Sequence, residues 1–216
     1  MHKIISFLGQ YRNWVLIIVA LIFYSVGTIG ILDQNNRDWF LSLTPFNLIL
    51  SFVLLISATH PNRLGLISVL VISFVTGLIV EWIGVHTGLL FGDYFYGNNL
   101  GYKLFEVPLV IGINWGILVV CAGSVAHRFG LGSIPTIILG AALMTGLDVL
   151  IEPVAIKSDF WYWKNDLVPL YNFICWFIVA IPLQWLNSIW NKPQSNKVYD
   201  ALFIILVLFF TILNLN

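Results

Sequence analysis

Seven apolar stretches, each near the length of a membrane-crossing helix, dominate this chain: roughly 14–32, 39–59, 64–84, 107–127, 133–152, 169–190 and 199–214. A helix needs about 20 apolar residues to cross a bilayer. In lipid, helices and closed barrels alone satisfy their backbone polar groups internally. Charged residues make up 9% of the chain, against about 25% in soluble domains, and mean hydropathy is +0.93. The expected fold is an all-α integral membrane protein of about seven transmembrane helices, with residues 1–216 as a single transmembrane domain. The first apolar run is too long for a signal peptide, and no A-x-A site follows it.

The charges between the stretches give an orientation. Lys3, Arg12, Arg63, Arg128, Lys192 and Lys197 fall on the side of the N-terminus, and Arg37, Lys103, Lys157 and Lys164 on the other. Basic residues concentrate on the cytoplasmic side, so the balance favours a cytoplasmic N-terminus. The formal net charge is zero, and nothing directs the chain to nucleic acid. Cys121 and Cys175 both lie in apolar stretches and read as buried thiols.

Two loops on the far side are aromatic and each contains an Asp: residues 85–106, with Asp93-Tyr-Phe-Tyr96, and residues 154–168, with Asp159-Phe-Trp-Tyr-Trp163. They belong to an internal similarity. Thr76-Gly77-Leu78 matches Thr145-Gly146-Leu147, Asp93-Tyr-Phe-Tyr matches Asp159-Phe-Trp-Tyr, and Val107-Pro108-Leu109 matches Val168-Pro169-Leu170, with Trp115 and Trp176 following at equal distance. Stretches three–four and five–six would then form a parallel repeat, with its axis along the membrane normal.

Three carboxylates lie within this repeat, inside apolar segments: Glu81, Asp148 and Glu152. An ionisable group at such a place is expensive and marks a functional site by default. Surroundings of low dielectric favour the protonated carboxyl. Asp148 and Glu152 are four residues apart and share a helical face. Gly77 and Gly146 would let helices approach closely. The acids are therefore expected to face one cavity beneath the two aromatic loops.

Buried acids and aromatic faces suit carbocation chemistry. Protonation of an isolated alkene gives a cation that is attracted to Trp and Tyr faces. Water then gives an alcohol, a neighbouring double bond gives a ring, and proton loss gives an isomer. The same aromatics also suit an interfacial belt, Glu81 and Asp148 also suit helix ends reaching the interface, and Glu152, before Pro153, also suits a boundary position. Asn114 and Asn172 are also the type of residue that forms interhelical hydrogen bonds. His60, His86 and His127 are scattered singly, and no metal site is expected.

The segments Glu81-Trp-x-Gly84-x-x-Thr87-Gly88-x-x-Phe91-Gly92-x-Tyr94-x-Tyr96, Leu100-Gly101 and Val107-Pro108-Leu109, with Asp148, Pro153, Val154-Ala155, Trp161, Trp163, Val168-Pro169, Asn172 and Trp176, resemble the membrane-bound carotenoid-biosynthesis hydratases. That family includes bisanhydrobacterioruberin hydratase and the carotenoid 1',2'-hydratases, and the likeness covers about residues 76–180. Where its pattern carries glycine before each Val-Pro pair and before the second Trp, this chain has Glu106, Leu167 and Cys175. The family is similar in character to the small membrane lycopene cyclases.

The resemblance implies hydration of an acyclic ψ-end group, with water added across the 1,2 double bond to give a tertiary alcohol, and no cofactor. It implies a carotenoid substrate, surrounding membrane lipid, neighbouring carotenoid-pathway enzymes and a bacterial cytoplasmic membrane. A carotenoid cyclase, or a small transporter or lipid-binding protein whose acids relay protons, are the alternatives. The expected general acid is Asp148 or Glu81. The other of these two carboxylates, or Asp93, would orient the attacking water and take its proton, and Glu152 is a further candidate catalytic residue. Trp82, Tyr94, Tyr96, Asn114, Trp115, Trp161, Trp163, Asn172 and Trp176 are the expected substrate-lining residues.

Overall fold

The computed structural model describes residues 2–58, 60–164, 166–191 and 195–216, with side chains from Tyr11 onward. Lys192, counted above for orientation, lies outside the described residues. The helices are α1 (His2–Leu32), α2 (Arg37–Ser42), α3 (Thr44–Ser57), α4 (Arg63–Thr87), α5 (Leu109–His127), α6 (Ser133–Lys157), α7 (Leu170–Leu186) and α8 (Lys197–Asn214). A π-helical turn, Asn187–Asn191, continues α7. Among the described residues six helices are long and apolar enough to cross a membrane: α1 from Tyr11, α4, α5, α6, α7 with its extension, and α8. The chain is an integral membrane protein.

The second apolar stretch is not one helix. It divides at Leu43, two residues before Pro45, whose ring is disfavoured deep within a helix but tolerated in a first turn. The 14 residues of α3 rise only about 21 Å. Their ends nevertheless lie toward opposite ends of the bundle. Pro45 packs against Gly101 in the loop after α4. Beyond the other end of α3, Asn62 donates to the Trp190 carbonyl (2.8 Å).

Local chemistry explains the element boundaries. The Asn62 side chain caps α4 by accepting from the Gly65 amide. Gly88, at φ +65°, closes α4 in the left-handed conformation that costs glycine least. Pro108 and Pro169 precede the first residues of α5 and α7. A proline steers the residue before it away from helical geometry, so each Val-Pro pair sets a helix start. The fifth apolar stretch does not stop before Pro153. α6 continues to Lys157, which leaves Glu152 inside a helix and not at its boundary.

α5 runs through the middle, against α3, α4, α6, α7 and α8. Polar ties hold it there. The Val119 carbonyl accepts from Gln184 Nε2 (3.0 Å) and Asn187 Nδ2 (3.2 Å). Asp200 of α8 accepts from Ser124 Oγ (2.6 Å) and pairs with Arg128. Cys121 and Cys175 are free and buried, as the sequence suggests.

Four very short strands cross the loops at one end of the bundle. β1 (Tyr94–Tyr96) pairs antiparallel with β4 (Trp161–Trp163), and β2 (Lys103–Leu104) pairs with β3 (Val107–Pro108). The β1–β4 pair laces the two aromatic loops together. Further bonds run from the Gly97 amide to the Phe160 carbonyl (2.8 Å) and from the Asn98 amide to Asp159 Oδ2 (3.0 Å).

Candidate active site

Strand geometry decides which aromatics turn inward. Alternate residues of a strand point to one face. Tyr94 and Tyr96 of β1 are buried while Phe95 between them is exposed. On β4, Trp161 and Trp163 share the same face. The inward side chains from both strands meet carboxylates on the helices below.

Glu81, on α4, is 4% exposed. Its Oε2 accepts from the hydroxyls of Tyr94 and Tyr96, each at 2.6 Å, and its Oε1 accepts from Trp115 Nε1 at 3.1 Å. Glu152, on α6, is 3% exposed. Its Oε2 accepts from Trp161 Nε1 (3.0 Å) and Trp163 Nε1 (2.8 Å), and its Oε1 from Asn172 Nδ2 (3.0 Å). Asp148, 1% exposed, accepts from the same Asn172 amide at 2.9 Å. Burial first, and then the charge of Glu81, push the hydroxyls of Tyr94 and Tyr96 well above the usual phenol range. Both remain hydrogen-bond donors.

The three carboxyls line one chamber of about 30 Å³, together with Phe91, Ile111, Asn114 and Trp176. A polar cavity of that size accommodates a water molecule. Among the described residues no Lys or Arg lines it, so no basic side chain balances the acids there. The indoles of Trp115 and Trp176 stack with centroids 4.0 Å apart and planes 5° from parallel. Asn114 also borders a second, apolar cavity of about 490 Å³, as do Ile111, Ile151 and Trp161. The small acidic chamber and the large apolar one thus share a wall.

The internal repeat is visible here, in a shifted register. The centre of the β1–β4 pair is Phe95 opposite Tyr162. An antiparallel pair places its two-fold centre there, which makes Tyr94 the counterpart of Trp161 and Tyr96 that of Trp163. Each aromatic pair donates to one glutamate oxygen, so Glu81 and Glu152 are counterparts. Gly77, four residues before Glu81, then corresponds to Asp148, four before Glu152. The Thr-Gly-Leu match in the sequence is therefore not the spatial match. A Cβ on Gly77 would come within 2.5 Å of Trp115, whereas nothing lies within 4 Å of one on Gly146. The two halves differ chemically because one carries a packed tryptophan where the other carries a second acid.

Most expected site residues converge. Glu81, Asp148, Glu152, Tyr94, Tyr96, Asn114, Trp161, Trp163, Asn172 and Trp176 line the chamber, and Trp115 reaches it through Glu81. Two do not. Asp93 is exposed, with Lys164 at 4.0 Å, because its position on the loop precedes the first inward residue of β1. Trp82, the neighbour of Glu81 on α4, is 45% exposed and packs beside His86 on the outer surface of the helix. Phe91, Ile111 and Ile151 line the chamber without having been anticipated. Phe91 is buried at φ +65° beside Gly92, and its place in the Phe-Gly pair of the loop was the available signal. Among the described residues no group of three or more His, Cys, Asp and Glu is arranged to hold a metal ion.

No curated protein and no solved structure matches the sequence. A family model described as carotenoid biosynthesis protein matches residues 41–216. That span contains every residue of the acidic chamber, from Glu81 on α4 to Trp176 on α7. The chain belongs to the carotenoid biosynthesis protein family, and its role lies in carotenoid biosynthesis.

Proposed function

We propose that the protein is a carotenoid hydratase, a hydro-lyase that adds water across the 1,2 double bond of an acyclic ψ-end group without a redox cofactor. The observation that carries this reading is the convergence of Glu81, Asp148 and Glu152 on a chamber with room for water, walled off by Asn114 and Trp161 from a large apolar cavity.

Hydrogen-bond supply assigns the roles. Glu81 and Glu152 each accept three bonds, as an anion requires, whereas Asp148 accepts one. Neighbouring acids that differ in surroundings divide acid and base duties between them. Asp148 carries the proton and donates it to C2 of the alkene, which leaves a tertiary cation at C1. The faces of Trp161, Trp163 and Trp176 stabilise that cation. The oxygen of a water molecule bonds to C1, and its released proton passes to Glu152, which is linked to Asp148 through Asn172. Return of that proton to Asp148 restores the starting state, so the sum is alkene plus water to alcohol. The Asn114 side chain borders both cavities. It orients the water. Asp93 takes no part, since it lies outside the chamber.

The reading puts the protein in a bacterial cytoplasmic membrane, and the distribution of basic residues between the helices supports a cytoplasmic N-terminus. The carotenoid comes from, and leaves to, other membrane enzymes of the same pathway. Expression in a lycopene-producing host, with mass analysis of the pigments, is the test. A product heavier by one water, absent with Asp148→Asn, is expected. A ring-containing product of unchanged mass would make the protein a cyclase on the same acids. Proton-coupled uptake in vesicles without pigment conversion would make it a transporter.

A further inference from the structure

The 490 Å³ cavity lies between α1, the α2–α3 pair, α5, α6 and α8, and belongs to neither half of the repeat alone. Its deep wall is apolar and buried, with Leu118 at 0% and Leu147 at 2% exposure. One side is different. Phe23 and Val26 of α1, Trp39 of α2 and Phe46 of α3 line the cavity and are also 50–68% exposed. In a membrane protein, exposed apolar side chains within a spanning helix face lipid, and Phe23 and Val26 lie within the α1 span. The cavity therefore opens sideways between α1 and the α2–α3 pair, while its inner end shares Ile111, Asn114, Ile151 and Trp161 with the acidic chamber.

We infer that this cavity is the binding site for the polyene chain of the substrate, and that the chain enters it from the bilayer through the gap between α1 and α2–α3, reacting end first. The inference rests on the hydratase reading for the identity of the chain. Three observations support the commitment to one occupant. The cavity adjoins, across Ile111, Asn114, Ile151 and Trp161, the chamber that holds the acids. Its opening faces the phase in which a carotenoid dissolves. Two wall atoms, Asn47 Oδ1 and Ser158 Oγ, are buried with no hydrogen-bond partner among the described residues. A buried polar atom left unpaired costs about 1–3 kcal/mol, so the site is incomplete as it stands. Water carried beside the chain would complete both atoms.

Both pieces of the divided stretch contribute to the rim, Trp39 from α2 and Phe46 from α3. Gly27 contributes in a second way. Apart from Phe209 at 4.0 Å, nothing approaches a Cβ placed there, so its side of the cavity is kept clear by the absence of a side chain.

The test fills the opening. Gly27→Trp and Val26→Trp are compared with Ile22→Trp, a lipid-facing position on the same helix that does not line the cavity. Each protein is placed in lipid nanodiscs, and lycopene binding is followed by quenching of tryptophan fluorescence, with turnover measured in parallel. Gly27→Trp and Val26→Trp are expected to weaken binding at least about tenfold, with Ile22→Trp like wild type. Val26→Trp, at a lipid-exposed site, carries the test if Gly27→Trp does not fold. Wild-type binding in the two filling variants overturns the inference. Binding lost in those variants, in a protein whose wild type makes no hydrated product, sustains the entry path while removing the hydratase reading.

Discussion

Asp148 and Glu152, one turn apart on α6, share the amide nitrogen of a single residue, Asn172 of α7, at 2.9 and 3.0 Å. An amide nitrogen has two hydrogens, one for each acid. The two carboxyls are thus fixed relative to each other by a neighbouring helix, and a proton gained by one is felt by the other.

Asp148→Asn should lower turnover by about 10²–10⁴-fold, the range for a general acid, with carotenoid binding retained. Glu81→Gln should be less severe, because the proposed donor remains. Single-turnover pigment conversion in membranes checks both. Full turnover in a folded Asp148→Asn protein would remove Asp148 from the reaction.

Asn172→Leu removes both amide hydrogens while keeping a similar volume. Glu152 then loses a bond to a charged group, about 1.5–3 kcal/mol, and the protonated Asp148 loses a neutral one, about 0.5–1.5 kcal/mol. The expected signature is a displaced pH–rate profile, which simple loss of packing would not produce. Asn172→Gln should restore part of the activity.

Tyr94 and Tyr96 are held above the ordinary phenol range, so their hydroxyls stay protonated through the alkaline interval in which exposed tyrosines ionise, about pH 10. Ultraviolet titration of tyrosinate should therefore show the same amplitude in wild type and in Tyr94→Phe up to that interval. A smaller amplitude in the variant would show that Tyr94 ionises normally.

Gly77→Ala and Gly146→Ala should separate cleanly. The first drives a methyl into Trp115 and should cost about 1–3 kcal/mol as overpacking, together with the bond from Trp115 to Glu81. The second meets nothing within 4 Å and should be neutral or slightly stabilising, since alanine is the better helix former. Thermal unfolding in detergent distinguishes them.

Asp200→Asn leaves Arg128 facing a neutral partner at the opposite end of α5 from the acids. Breaking a buried pair from one side costs about 3–5 kcal/mol. Because Arg128 is half-exposed and water screens it, the lower end of that range or less is expected. The variant should melt earlier, while residual turnover per folded molecule stays near wild type.

Much of the site was readable along the chain. An acid in an apolar run is conspicuous wherever the helix goes, so Glu81, Asp148 and Glu152 stand out from composition alone. The four-residue spacing on α6 places two of them on one face by helical geometry. The same local rules misplaced others. Asp93 has the chemistry of a catalytic acid, but it sits one residue before β1, whose first inward side chain is Tyr94, and it stays exposed beside Lys164. Trp82 follows Glu81 in sequence, yet adjacent residues on a helix point about 100° apart. The shifted register of the repeat has the same origin, since Thr-Gly-Leu is a match of letters and the β1–β4 pairing is a match of positions.

Apolar run length is a property of consecutive residues, so it specified a membrane bundle, its approximate helix number and the helices that carry acids before any contact was known. Which donors each carboxylate receives, the sharing of Asn172, the packing of Trp115 on Gly77 and the apolar cavity among six helices depend on residues far apart in the chain. Those relations arise only when helices pack, because hydrogen bonds and cavities are set by distances across space, and hydropathy along the sequence contains no such distances.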